Sequence, residues 1–119
     1  QVGLCSKDYL NRQVDSSLSG GEIKRIEIAT LMARDLSLAI YDEPEASIDL
    51  WSFNMLVESF KAITKTRKES MVIISHQERI MRIADEIAII ANGVVKKHGP
   101  TEEVFPELMA EFDNTCTFR

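Results

Sequence analysis

The chain is predicted to be an α/β protein built on a parallel sheet. Residues 37–41 and 71–75 are short, almost continuous apolar runs, the pattern of strands buried on both faces. The stretch between them, from Asp49 to about Thr64, repeats apolar residues at helical spacing. A strand–helix–strand order of this kind makes a right-handed crossover between parallel strands.

Each element follows from local chemistry. Residues 7–14 read as a short helix and 15–17 as a loop. Leu18-Ser19-Gly20-Gly21 then leads into a helix over 22–34. Ile23, Ile26, Thr30 and Ala33 define one face of it, and Ile28, Leu31 and Met32 widen the stripe. The first strand runs into Asp42-Glu43-Pro44, which leaves two carboxylates at its carboxyl end. Asp49 can cap the next helix. Leu50, Phe53, Leu56, Val57, Phe60 and Ile63 mark the apolar side of that helix. His76 stands at the end of the second strand, and residues 77–84 read as another helix. Asn92-Gly93 between 86–90 and 94–97 is a tight hairpin turn. Residues 101–112 read as two helical pieces broken at Pro106.

Composition narrows the function classes. With 119 residues, 45% apolar and 28% charged, the chain has the makings of a single packed core. The 19 acidic residues exceed the 14 basic ones, and the net charge of −5 argues against nucleic acid as a partner. The longest near-apolar stretch, 87–91, is too short to span a bilayer, and the expected location is the cytoplasm. Cys5 and Cys116 read as reduced thiols. His76 and His98 lack zinc-site spacing.

Four groups of residues carry chemistry. Ligands of open α/β sheets bind beyond the carboxyl ends of the strands. There, of the adjacent carboxylates Asp42 and Glu43, one can hold Mg²⁺ and the next can orient or deprotonate a water. Ser19, Gly20, Gly21 and Glu22 open a helix, whose first amides and dipole attract an anion. Each of these alone is more often a turn acid or a plain helix cap. His76 can hydrogen-bond a phosphate or a lytic water, and Asp49 fits a helix cap.

Taken in order, these segments resemble the second half of an ATP-binding cassette (ABC) ATPase. Leu18-Ser19-Gly20-Gly21-Glu22 is similar to the ABC signature. Leu38-Ala39-Ile40-Tyr41-Asp42 resembles Walker B, with Glu43 in the catalytic-glutamate position. Ala46-Ser47-Ile48-Asp49 resembles the D-loop, and Ile74-Ser75-His76 the switch-histidine loop. The resemblance covers about residues 10–104. Residues 42–50 are also similar to the SufC-type ATPase of iron–sulfur cluster assembly, although Ala46-Ser47 stand where a glycine is usual there.

The resemblance implies a partial P-loop NTPase (RecA-like) sheet with helices, plus the end of the ABC helical subdomain. Residues 1–34 would end the helical subdomain, 35–100 would belong to the catalytic core, and 101–119 would form a helical tail. It implies ATP and Mg²⁺ as cofactors. Asp42 would help to hold the metal, Glu43 would activate the lytic water, and His76 would contact the γ-phosphate. Ser19, Gly20, Gly21 and Glu22 would meet the ATP of a second protomer, and Ser47 and Asp49 would communicate across the dimer. Further partners would be SufB- and SufD-like scaffolds or a membrane permease, which would bring the chain to the membrane.

One family motif is missing. None of the five glycines, Gly3, Gly20, Gly21, Gly93 and Gly99, begins the G-x-x-x-x-G-K-[ST] loop that cradles phosphates. Gln1 is therefore expected to be an internal position of a longer cassette, and the chain to be inactive alone. The strand before His76 is expected to expose an unpaired apolar edge and to drive self-association. Competing readings are a transporter ATPase, a non-enzymatic interaction module and a DNA-repair ABC ATPase. The intact Asp42, Glu43 and His76 disfavour the module, and the acidic balance disfavours DNA repair.

Overall fold

A computed structural model describes Asn11, Gln13 and residues 17–66 and 70–115. The helix expected over 7–14 and the cysteines lie outside the described residues. The chain divides into two compact units, Gln1–Ser75 and His76–Arg119.

The first unit contains helix α1 (Gly20–Met32), strand β1 (Leu38–Asp42), helix α2 (Leu50–Thr66) and strand β2 (Ser70–Ile74). β1 and β2 pair in parallel, Leu38 opposite Ser70 through Asp42 opposite Ile74. This is the expected α/β arrangement with a helical crossover. The two strands form a two-stranded sheet among the described residues.

The sheet departs from the expectation of burial on both faces. β1 alternates, with Ala39 and Tyr41 buried but Leu38 52% and Ile40 59% exposed. On β2, Val72 is 48% and Ile74 53% exposed, on the same face as Ile40. The covered face packs on α2, where the rings of Tyr41 and Phe60 meet edge to face at 5.0 Å. The opposite face has no described layer over it, so alternate residues of apolar strands meet solvent.

α2 supplies most of this unit's core. Phe53, Leu56, Val57, Phe60 and Ile63 are buried at helical spacing. Burial of a side chain such as Phe60 contributes about 1.5–3 kcal/mol. Leu50 was expected with them but is 75% exposed, and its neighbour Trp51 is 76% exposed. Both stand in the first turn of α2, and Leu50 is left uncovered although its spacing puts it on the side of Phe53 and Val57.

α1 begins two residues earlier than expected, directly after Ser19, which caps it. Its inward face is also different. Ile28 is the buried residue, while Thr30 and Ala33 are exposed and Ile23 and Ile26 half-buried. Thr30 bonds back to the Ile26 carbonyl at 2.8 Å, which satisfies its hydroxyl without a core.

The second unit holds helix α3 (Glu78–Met81), strands β3 (Glu86–Ala91) and β4 (Val94–Pro100) and helix α4 (Thr101–Thr115). α3 is a single turn, shorter than the expected 77–84, and it loosens through the i to i+3 bonds of Ile83 and Ala84. The hairpin is as expected, with both Asn92 (φ 53°) and Gly93 (φ 75°) left-handed, as a type I′ turn requires. A bulge lies where Ile89 faces Lys97 but Ile90 faces Val95.

α4 is continuous through Pro106, against the expected break. Proline removes the amide that would bond Glu102 and its ring crowds that carbonyl, and tertiary anchors hold the helix in spite of both. The Thr101 amide bonds the Asp85 carbonyl at 3.0 Å and its hydroxyl bonds that of Ala84 at 2.6 Å. Val104 and Phe105 are buried, and the Arg82 guanidinium lies 4.5 Å above the Phe105 ring.

Candidate functional site

Asp42 closes β1, and the chain turns sharply after it. Glu43 takes a left-handed backbone (φ 41°), unusual for a residue with a side chain. Its amide donates to the Ile74 carbonyl at 2.9 Å and its carbonyl accepts the Ala46 amide at 3.0 Å. Pro44 is fully buried beneath the turn. Strain held in this way by surrounding bonds is characteristic of functional loops. Both carboxylates are exposed at the carboxyl end of the strand.

Ser19 and Glu22 form a reciprocal capping box. The Glu22 amide donates to Ser19 Oγ at 3.3 Å, and the Ser19 amide donates to Glu22 Oε2 at 2.8 Å. Two of the expected anion-binding residues thus also fix the start of α1. The amides of Gly20 and Gly21 precede the first intrahelical bond, the position at which helix N-termini hold anions.

The loop over 43–49 packs directly on this helix start. A Cβ on Gly21 would collide with the Ser47 carbonyl oxygen, so only glycine allows the approach. Ser47 itself is left-handed (φ 63°), a conformation glycine would take without strain. Lys24 Nζ donates to the Asp42 carbonyl at 3.2 Å. Arg25 donates to Ser52 Oγ and lies 3.4 Å from Asp49 Oδ2.

Asp49 caps α2 as expected. Its Oδ1 accepts the Ser52 amide at 3.0 Å and its Oδ2 the Ser52 hydroxyl at 2.7 Å. The Ser52 amide, then the Ser52 hydroxyl and the Arg25 charge hold the Asp49 carboxyl below its ordinary value of 3.8. His76, directly after Ser75, opens the second unit and is exposed, with Gln77 Nε2 3.5 Å from its Nε2.

Known proteins share this sequence and fold. The chain is 41% identical over 103 residues to an uncharacterized ABC transporter ATP-binding protein of Methanocaldococcus jannaschii, covering 87% of this chain and 41% of that protein. It is 34% identical over 120 residues to the energy-coupling factor transporter ATP-binding protein EcfA2 of Mycoplasmoides gallisepticum, covering 92% and 38% respectively. The chain corresponds to part of an ABC ATPase. It spans about two fifths of the length of these curated relatives. The dimeric structure of a bacterial ABC transporter cassette superposes with a TM-score of 0.66 at 21% identity, over 71% of this chain and 37% of that one. No protein-family profile matches the sequence.

The helix start at Gly21 and the loop at Ser47 thus approach closely within one chain. Asp42 and Glu43 stand together, and Asp49 is tied to α1 through Arg25. Sequence reasoning gave no role of their own to Lys24, Arg25, Glu45, Ser52 and Ser75, although Glu45 and Ser75 stand inside the stretches compared with known motifs. Lys24 and Arg25 read as plain polar positions of a helix. Ser52 had a usable signal, since an Asp cap bonds the amide three residues on.

Mg²⁺ takes one or two carboxylates and otherwise water and phosphate oxygens. An exposed Asp42 beside Glu43 fits that share of its ligands. Among the described residues no cluster of three or more His, Cys, Asp or Glu could hold a metal alone. None of their helices is long and apolar enough to cross a membrane.

Proposed function

We propose that these residues work within an ABC cassette that hydrolyses ATP at a head-to-tail interface between two copies. The strained turn that presents Glu43 beside Asp42, pinned to β2 through the Ile74 carbonyl, carries this reading. Asp42 would hold Mg²⁺, which when bound would neutralise phosphate charge. The Glu43 carboxylate orients the attacking water and accepts its proton. His76 donates a hydrogen bond toward the γ-phosphoryl oxygens, where charge develops. Ser19, Gly20, Gly21 and Glu22 form the signature end that faces the partner's nucleotide, and Ser47 and Asp49 form the D-loop between the copies. The phosphate-cradling loop is supplied by a segment of the cassette outside these 119 residues, so this chain by itself is inactive. Residues 1–34 then belong to the helical subdomain, 35–100 to the catalytic core and 101–119 to a helical tail.

The cassette energises a membrane transporter and sits on the cytoplasmic side against a permease. The transporter names of both relatives support this assignment. A SufC-like role with SufB- and SufD-like scaffolds is the second reading, supported by residues 42–50 alone.

The test is the Glu43→Gln variant of the complete cassette. Its ATP turnover should fall about a hundredfold or more, while Mg²⁺–ATP binding by calorimetry persists. Unchanged turnover would overturn the assignment of Glu43. The 119-residue chain should bind no Mg²⁺–ATP, and tight binding would favour a self-contained module.

A further inference from the structure

Glu45 has no role assigned in the motifs above, yet its carboxylate joins the two strand ends. Ser75 Oγ donates to Glu45 Oε1 at 2.5 Å, in a partly buried setting. Ser75 is the last residue before His76. Glu45 lies two residues after Glu43 in the same turn, whose Ile48 amide donates to the Glu45 carbonyl at 3.2 Å. The turn is thus bonded to the end of β2 by backbone (Glu43 amide to Ile74 carbonyl, 2.9 Å) and to the residue after it by side chains.

The parallel ladder with β1 holds the strand as far as Ile74, opposite Asp42. Ser75 lies one residue past that last pair, and its side-chain bond to Glu45 carries the restraint beyond the ladder. Ser75 is the point where the chain leaves the sheet, so its hydroxyl is the last handle on the direction in which the chain departs toward His76. A carboxylate suits the task because a charge-assisted bond to a hydroxyl is shorter and stronger than a neutral one.

We propose that Glu45 is a positioning residue, which through Ser75 fixes the end of β2 that leads into His76 for ATP hydrolysis. This rests on the functional reading above. Misplacement of a reacting group by about 1 Å costs up to a hundredfold in rate, so the loss of this side-chain tether, with the ladder intact, should cost about tenfold.

The experiment measures ATP turnover in the complete cassette for Glu45→Ala, Glu45→Gln, Ser75→Ala and the double variant Glu45→Ala with Ser75→Ala. Glu45→Ala should lower kcat about tenfold with KM for ATP unchanged. Glu45→Gln, which keeps an acceptor oxygen, should recover most of the rate. The double variant should be no slower than the slower single one, since both remove the same bond. Additive losses, an equal loss in Gln and Ala, or a rise in KM matching the fall in kcat would overturn the proposal. Circular dichroism and thermal melting identify variants that fail to fold, and for those Glu45→Gln against wild type decides. Glu43→Gln in the same assay separates the two claims. If it is inactive while Glu45→Ala is fully active, only the role of Glu45 fails. If it is fully active, the functional reading itself fails.

Discussion

Asp49 accepts the Ser52 amide and hydroxyl and faces the Arg25 guanidinium, and these contacts favour its ionised form. Its folded carboxyl therefore titrates below the ordinary 3.8. The unfolded chain binds the proton first as pH falls, so the stabilisation is complete above the ordinary value and is lost through the folded one. Denaturation of wild type and Asp49→Asn should show a stability gap at neutral pH that narrows below about pH 4. A gap independent of pH would remove the charge from the explanation. The paired glycines offer a second contrast. Gly21→Ala drives a methyl into the Ser47 carbonyl and should cost about 1–3 kcal/mol. A methyl on Gly20 would meet nothing within 4 Å, so Gly20→Ala should be neutral or stabilising by up to about 1 kcal/mol. Urea midpoints of the two variants measure the difference.

At the scale of elements, α4 gives the sharpest test. Pro106 leaves the Glu102 carbonyl without its helical donor, a loss anchored over by Thr101, Val104 and Phe105. Pro106→Ala restores the bond and should stabilise by about 2 kcal/mol, net of the extra freedom it returns to the unfolded chain. No rise in thermal midpoint would mean that the anchors, not the proline, limit this helix. The same helix shows where sequence reading stops. Local rules read a proline as a break, and the bonds to Ala84 and Asp85 that overrule it come from elsewhere in the chain. The β-elements were legible because apolar runs and Asn92-Gly93 act locally. The uncovered face at Leu38, Ile40, Val72 and Ile74 was not, since an apolar run cannot reveal which neighbours are there to bury it. At the candidate site, the strand-end position of Asp42 and Glu43 and the caps Ser19 and Asp49 were readable from the apolar run and capping chemistry. Arg25, Glu45 and Ser75 were not, because their partners lie far along the chain and no spacing rule joins them.

For the molecule as a whole, the first unit brings a two-stranded sheet with open edges and an apolar face to solvent among the described residues. Both features promote association. Light scattering of the 119-residue chain should show mass rising with concentration, and Ile40→Thr with Val72→Thr should reduce the rise. A monodisperse monomer at all concentrations would count against this. Trp51 then acquires a practical meaning. It is the only tryptophan of the chain, and 76% of it is already in contact with solvent. Its emission will sit near that of indole in water before and after denaturation, so tryptophan fluorescence will follow unfolding poorly. Any partner that settles over the first turn of α2 will instead shift it to the blue, which makes the chain a built-in optical sensor of docking.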